Sequence, residues 1–554
     1  MKPAELFHAS SVMALGTSIS KVTGFIRTIL TVALLGTALL ADSFNVANTL
    51  PNILYNLLVG GALTAIFVPQ LIRSFETEDG GHEFASRLVS AVSLILLALV
   101  FLGVIFAPAL VRIYAPEFSS VGFESEFNLA VAFTRNCLPQ IFFMGLFTML
   151  GQIANARGSF APLMWAPIAN NLIVIVIYSA LLFFVPQIDL HNITHWQVQV
   201  IGWGSTFGVV LQALILIPVV KRAGLMVRPT LRWGGLGKSF SLAGWTLIYV
   251  MISQLGYLVT VNVSTTAAVR SAKDGITTGV GFTPYSNAYL IMMLPYSIIT
   301  ISIITALLPQ LSRLALQKKL DEVRQQLVGA IRMVGVLTVP SGVAFLLFGP
   351  LMTRVLFFGI ETSDSVYIGY VVSSLGLGLV AFSIHLILLR GFNSFEDTRT
   401  QVWSILFINI VAVGLSYLFL SILPNKWVTV GLGFAFSISY IFGLFLTLRL
   451  LDRHVGPIRM SDFISQHFGL FAASLIAMLP LFLLSQYFSW VSGDTSVLVR
   501  IAELLVVMVL SPLLYYFVAK SLKIGEVTMI REMVGVQISR VVNSRRKPNA
   551  DAND

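Results

Sequence analysis

The sequence predicts an all-α polytopic membrane protein of about fourteen transmembrane helices: two six-helix bundles related by pseudo-twofold symmetry, followed by two further helices. Three observations lead there. The 554 residues are 56% hydrophobic and only 11% charged, with a mean hydropathy of +0.86, whereas soluble domains are about a quarter charged. Apolar stretches of the roughly 20 residues that span hydrocarbon recur throughout, with no polar linker between them. Short motifs in the first six stretches also return in the next six.

That composition excludes an ordinary soluble enzyme. The single cysteine, Cys137, allows no internal disulfide and no thiolate cluster for zinc or an iron–sulfur centre, so no metal and no cofactor is called for.

In chain order the expected spans cover residues 7–38, 43–72, 86–112, 128–155, 160–186, 197–220, 239–266, 284–312, 325–349, 366–390, 400–423, 427–449, 465–490 and 498–519. The first is too long for a signal peptide, carries Lys21 and Arg27, and lacks a small-residue cleavage site. An even number of spans puts both ends on one side. If that side is the cytoplasm, its segments hold 26 of the 35 Lys and Arg against 7 outside, with Lys21 and Arg27 inside the first span. Such a bias sets orientation. The basic tail, Arg545-Arg546-Lys547, then lies against anionic headgroups of the membrane lipids. The net charge of +10 is spread over loops with no aromatic-interleaved soluble module, which argues against nucleic acid as a partner.

The repeat rests on three registrations. Thr64-Ala65-Ile66-Phe67-Val68-Pro69-Gln70 is answered by Thr305-Ala306-Leu307-Leu308-Pro309-Gln310, and Leu50-Pro51 by Leu294-Pro295. The turn at Ala156-Arg157-Gly158 followed by Asn171 is answered by Arg390-Gly391-Phe392 followed by Asn409. The expected parts are therefore a lobe over 1–222, a second over 223–455, two added helices over 456–522 and a basic cytoplasmic tail over 523–554. Six spans per half make the repeats parallel, about an axis along the membrane normal, as in transporters with a central site.

At about 100° per residue, Ser10, Thr17, Ser20, Lys21, Gly24, Arg27, Thr28 and Thr31 share one arc of the first span, opposite an apolar face. A charge at bilayer depth costs about 2.5–3.5 kcal/mol, so two cations there need water, partners or an anionic ligand. Lys21 and Arg27 are about 9 Å apart along the axis, with Gly24 between them permitting close approach, a spacing that suits two phosphates. Snorkelling or structural pairing is the alternative.

The second span repeats the pattern with Asp42, Asn45, Asn48, Thr49, Asn52, Asn56 and Gly60 on one stripe. The asparagines are candidate contacts to sugar or peptide, and helix–helix hydrogen bonding is the rival for each. Asp42 is expected to pair with Lys21 or Arg27 when no ligand is present. Pro51, Gly60 and Gly61 in this span, Pro295 in the eighth and Gly24 in the first are candidate hinges. Arg135, His385 and Glu503 in apolar spans read as satisfied structural groups rather than proton carriers. Arg332 and Arg390 are expected to snorkel, while Tyr257, Asn262, Asn287, Tyr289 and Tyr296 are weaker candidates for lining a cavity.

Gly24-Phe25-Ile26-Arg27, Ala41-Asp42-Ser43-Phe44, Leu50-Pro51-Asn52-Ile53-Leu54, Gly61-Ala62-Leu63 and Phe67-Val68-Pro69 resemble the signature of the MurJ/MviN family of lipid II flippases. Leu307-Leu308-Pro309-Gln310-Leu311-Ser312 and Gly391-Phe392-Asn393-Ser394-Phe395-Glu396-Asp397-Thr398-Arg399-Thr400 are similar to its second half, and the resemblance covers about residues 8–520. It implies a MATE-like, fourteen-helix transporter in the bacterial plasma membrane. Such a protein moves undecaprenyl-pyrophosphate-linked disaccharide-pentapeptide, lipid II, to the outer leaflet for peptidoglycan synthesis and cell shape. It also implies cell-wall synthesis or division proteins as partners, functional cavity roles for Arg27 and Asp42, Lys21 in place of an arginine, and a lipid-tail groove at the last two helices. The chain departs from the family at Tyr55-Asn56 and around Leu290, where members often carry arginine, and expected spans 7 and 11 have no acid for the sodium site proposed in some members.

A MATE-type exporter of small cations is the alternative, and it should place acids rather than Lys and Arg in its cavity. A polytopic enzyme should gather acids in an ordered loop, but Glu76, Glu78, Asp79 and Glu83 look like a solvated connector. A membrane scaffold for cell-wall synthesis that transports nothing is separated only by assay.

Overall fold

A hydrocarbon environment cannot hydrogen-bond an open backbone, so each crossing segment must satisfy its own N–H and C=O groups. The computed structural model describes residues 3–57, 74, 81–159, 161–185, 188–224, 230, 244–493 and 495–524, and every regular element among them is helical. Eleven helical stretches are long and apolar enough to cross a membrane, and a bent pair makes twelve. These match twelve of the expected spans. The expected second span is described only to residue 57, and the expected eighth is divided after Pro295 by a π-helical turn, Tyr296–Thr300. Gly60, Gly61, the repeat motif 64–73, the acids Glu76, Glu78 and Asp79, and the tail arginines lie outside the described residues.

The helices, in order, are α1 (Pro3–Leu35), α2 (Leu39–Tyr55), α3 (His82–Ile105), α4 (Ala107–Tyr114), α5 (Glu124–Cys137), α6 (Gln140–Ala156), α7 (Ala161–Phe184), α8 (His195–Leu214) and α9 (Leu216–Arg222). After them come α10 (Gly244–Lys273), α11 (Phe282–Pro295), α12 (Ile301–Leu316), α13 (Leu320–Leu356), α14 (Thr362–Gly376), α15 (Leu379–Ser394), α16 (Thr398–Ile422), α17 (Val428–Val455), α18 (Ser461–Tyr487) and α19 (Val497–Ser521). Breaks have local causes. Pro108 opens α4, Pro139 precedes α6, and the Gly376–Gly378 stretch bends α14 from α15 by 48°.

The chain forms two compact units: Met1–Asn287 with Leu356–Tyr367 and Ile405–Ala435, and Ala288–Val355 with Ile368–Ser404 and Phe436–Asp554. In the first, α1 packs on α7, α7 on α8, and α2 on α5. Lipid tails are as apolar as leucine, so fit and hydrogen bonds rather than apolar burial hold such helices together. Phe44 of α2 sits edge-on to Phe133 at 5.3 Å and to Tyr178 at 6.5 Å, a geometry worth about 0.5–1.5 kcal/mol per pair beyond the area covered. Tyr178 in turn shares a 2.9 Å hydrogen bond with Ser205 of α8.

In the second unit, α13 is the spine. Glycines seven residues apart let backbones close up: a Cβ at Gly342 would lie 2.9 Å from the Gly376 carbonyl, and one at Gly349 would lie 2.5 Å from the Gly369 carbonyl. Small residues at such crossings are what membrane packing selects. α18 and α19 pack on the same spine, where the Tyr515 hydroxyl donates to the Val336 carbonyl at 2.8 Å. Arg354, at the end of α13, is 1% exposed and donates to the Trp490 and Gly493 carbonyls, tying the α18–α19 connection to α13. His385 is fully buried, with Nδ1 3.1 Å from the Thr447 hydroxyl and Nε2 without a hydrogen-bond partner among the described residues, so the ring is half satisfied rather than fully so.

Candidate functional site

The two polar stripes of the first unit end in different physical states. On α1, the exposed side chains Leu15, Val22 and Ile26 fall within about 40° of one another at 100° per residue. Gly24 lies opposite them, where a Cβ would stand 3.4 Å from Asn171 of α7. Lys21 and Arg27 flank Gly24 by about 60° on either side. The polar arc therefore faces protein and the apolar face is the open one, as the periodicity predicts.

Asn171 explains the register. Its amide nitrogen donates to the Ser20 carbonyl at 3.0 Å and to the Thr23 hydroxyl at 3.1 Å. Thr17, Thr28 and Thr31 turn back onto carbonyls of their own helix, so these three hydroxyls of the arc are satisfied locally. Arg27 is different. Partly exposed, it shares its surroundings with Tyr178 and Cys137, and its guanidinium makes no hydrogen bond or ion pair with any described residue. A guanidinium has five donors in a planar fork and matches phosphate bidentately. Among the described residues nothing neutralises its charge. Lys21 is also partly exposed.

Asp42 does not pair with either cation. Its carboxylate, fully buried, accepts the backbone N–H groups of Phe282 at 3.0 Å and Thr283 at 2.6 Å, capping the first turn of α11. The expected ion pair is thus replaced by a helix N-terminus, whose free N–H groups and dipole favour a carboxylate. Gly281 makes the approach possible. Its φ is 147°, and a Cβ there would stand 1.9 Å from Asp42 Oδ2. Further along the stripe, Asn45 donates to the Thr283 hydroxyl at 2.9 Å and Asn48 accepts from Gln140 at 3.2 Å, with Gln140 also bonded to Thr206 at 3.3 Å.

Asn52 is exposed and Asn56 half-buried. The stripe divides: Asp42, Asn45 and Asn48 bind the protein to itself, while Asn52 and Asn56 remain on the accessible part of the helix. Thr283, Gln140 and Asn171 were missed as partners. Pro284, in the first turn of α11, was the one signal of a helix start there.

Of the hinge positions, α1 runs unbroken through Gly24, and α2 runs through Pro51 before widening to π geometry at residues 56–57. Pro295 closes α11 directly before the π turn. Both Leu-Pro pairs of the repeat are followed by a widened turn, as expected where proline removes a donor from the ladder. Among the described residues no group of His, Cys, Asp and Glu is placed to hold a metal ion.

The sequence profile of the family described as "Lipid II flippase MurJ" matches residues 31–508. A curated lipid II flippase MurJ of Burkholderia cenocepacia is 28% identical over 455 residues, covering 80% of this chain and 84% of that protein. A probable lipid II flippase MurJ of Buchnera aphidicola is 25% identical, over 85% of this chain and 88% of that protein. Among solved structures, a lipid II flippase MurJ in an inward closed conformation aligns with a TM-score of 0.71 at 19% identity, over 92% of this chain and 99% of that one. An inward-facing MATE family multidrug resistance transporter of the MOP superfamily aligns at 0.60 with 14% identity, over 80% and 98%. The structural likenesses show a shared fold, and the profile, spanning most of the sequence, shows that the chain belongs to the lipid II flippase MurJ family.

Proposed function

We propose that this chain is a lipid II flippase of the bacterial inner membrane. It carries the undecaprenyl-pyrophosphate-linked disaccharide-pentapeptide from the inner to the outer leaflet by alternating access, and it is a transporter, not an enzyme. The family match over residues 31–508 carries the proposal. Arg27, whose guanidinium has no partner among the described residues, supports it chemically, because a pyrophosphate crossing hydrocarbon needs cations that are not already neutralised.

In this reading Arg27 and Lys21 meet the pyrophosphate, and Asn52 and Asn56 meet sugar or peptide. Asn45, Asn48 and Asp42 join the substrate only in a state where their present bonds are released. Pro51 and Pro295, with their widened turns, are the places where α2 and the α11–α12 segment bend. Fourteen spans, lobes over 1–222 and 223–455, two added helices and cytoplasmic ends complete the arrangement, supported by the 26-to-7 distribution of Lys and Arg. Binding energy must differ between the inward- and outward-open states to drive the cycle.

The test is the leaflet exposure of labelled lipid II in flippase-depleted cells supplied with this chain. Labelled lipid II should reach the outer leaflet. If it stays inside although the protein is present in the membrane, the proposal fails and a scaffold role takes its place.

A further inference from the structure

Arg390 stands one turn before the end of α15, partly exposed, with its Nε enclosed and without a hydrogen-bond partner. Its terminal nitrogens are unengaged as well: the guanidinium makes no hydrogen bond or ion pair with any described residue. Other arginines with an enclosed Nε are not left in this state. Arg87 reaches the Glu83 carboxylate, and Arg354 reaches the Trp490 and Gly493 carbonyls. Asp397, in the connection that follows α15, is committed elsewhere, 3.1 Å from His454 Nε2 and accepting the Thr400 N–H at 2.9 Å.

Two buried hydroxyls beside the same helix are also unmet. Ser383 and Thr300 are each 0% exposed, and neither hydroxyl has a hydrogen-bond partner among the described residues. Ser383 precedes Arg390 by two turns of α15, about 20° away around the axis and about 10 Å along it, so the two share a face. The Cβ of a helical residue points toward the N-terminus, which starts the Arg390 side chain towards Ser383. Thr300 ends the π turn Tyr296–Thr300, which packs on α15. Tyr296 links the two segments: its ring lies edge-on to Phe382, the neighbour of Ser383, at 5.1 Å, and Arg390 lies within electrostatic reach of its hydroxyl. All of these residues belong to the second unit. Native proteins keep few buried polar groups unmet. Three along one seam, each able to donate, are the complement of a ligand rich in acceptors.

We propose that the seam between α15 and the π turn binds a phosphate or pyrophosphate group. Arg390 supplies the charge and the planar fork that matches phosphate oxygens, and the Ser383 and Thr300 hydroxyls supply neutral donors. A carboxylate has two oxygens, which the fork alone would occupy; a phosphate has further oxygens for the hydroxyls. Such a group has two sources, a lipid headgroup or an ion in solution. The site is read from these residues alone, and only the assignment of a lipid-borne phosphate to the transported substrate rests on the flippase reading.

The test uses the full chain with Arg27→Ala, which removes the cation proposed for the first unit, in phosphatidylcholine nanodiscs, so that binding here and transport can fail separately. Inorganic pyrophosphate is titrated by calorimetry, with acetate as the carboxylate control. Saturable binding of pyrophosphate, about tenfold or more tighter than acetate, is expected, and Arg390→Gln should weaken it about tenfold, as loss of a charge-assisted contact implies. Arg390→Lys should fall between the two. Arg390 has no partner to lose, so the melting temperature should hold. Thr300→Val is the second arm: it should weaken binding several-fold while raising the melting temperature of the ligand-free protein, because it removes a buried hydroxyl that has no partner. Absence of saturable binding, equal binding of acetate, or unchanged titrations in both Arg390→Gln and Thr300→Val overturns the proposal. Geranyl pyrophosphate identifies the source: tighter binding than inorganic pyrophosphate assigns a lipid headgroup, binding no tighter assigns an ion in solution, and either supports the site.

Discussion

α1 and α2 carry the same sequence signal, a stripe of polar residues along an apolar helix, and the first unit uses them in opposite ways. α2 places Asp42, Asn45 and Asn48 in bonds to α11 and α6, so its polarity joins helices. α1 turns the hydroxyls of Thr17, Thr28 and Thr31 back onto its own backbone and leaves the Arg27 guanidinium without a partner among the described residues. Polarity inside a membrane is expensive wherever it occurs. What distinguishes a structural polar group from a functional one is whether the protein has already supplied its partner, and that is the property to test.

The largest effect is expected at the unpaired cation. Arg27→Ala should reduce rescue of a flippase-depleted strain to the level of the empty vector while the protein still inserts, and Arg27→Lys, which keeps charge but loses the planar fork, should rescue only in part. Full rescue by well-expressed Arg27→Ala would remove the contrast between the helices. Next comes the satisfied acid. Asp42→Asn replaces one of two carboxylate acceptors at the α11 N-terminus with a donor, which should cost about 1.5–3 kcal/mol, read as a lower melting temperature of the purified protein. Gly281→Ala should lower it as well, since its Cβ would occupy the place of Asp42 Oδ2. An unchanged melting temperature in both would mean that the cap does not hold the fold.

A gentler probe sorts the α2 asparagines. In a Cys137→Ala background, a cysteine at Asn52 should react readily with a water-soluble maleimide, since that position is exposed. One at Asn45, packed against Thr283, should react several-fold more slowly. Equal rates would show that the stripe is not divided.

Much of this was legible in the sequence. Span positions follow from length and hydropathy, which act locally, so twelve of the expected helices lie where they were placed. The orientation of α1 followed from its period, because Leu15, Val22 and Ile26 had to face away from Lys21 and Arg27. Partner choice was not legible. Asp42 and Thr283 are 241 residues apart, and nothing in either segment alone says that a carboxylate will prefer a helix N-terminus to a nearby cation. The same limit hid Gln140 and Asn171, which look like ordinary polar residues until the helices they join are placed side by side. Arg354 shows the same limit: it is buried because the α18–α19 connection, distant in sequence, offers it two carbonyls.

The smallest effect is expected at Gly24, and it sharpens the comparison most finely. As a hinge, Gly24 would need its backbone freedom; as a packing position, it needs only room for Asn171. The helix is continuous there, and an added Cβ would meet the Asn171 amide at 3.4 Å, an ordinary contact. Gly24→Ala should therefore leave the melting temperature within the shift given by about 0.5 kcal/mol and leave rescue intact, since alanine is the better helix former. Loss of rescue at unchanged stability would mean that α1 must bend at Gly24 during transport, which would make the helix holding the unpaired cation a moving part as well as a binding one.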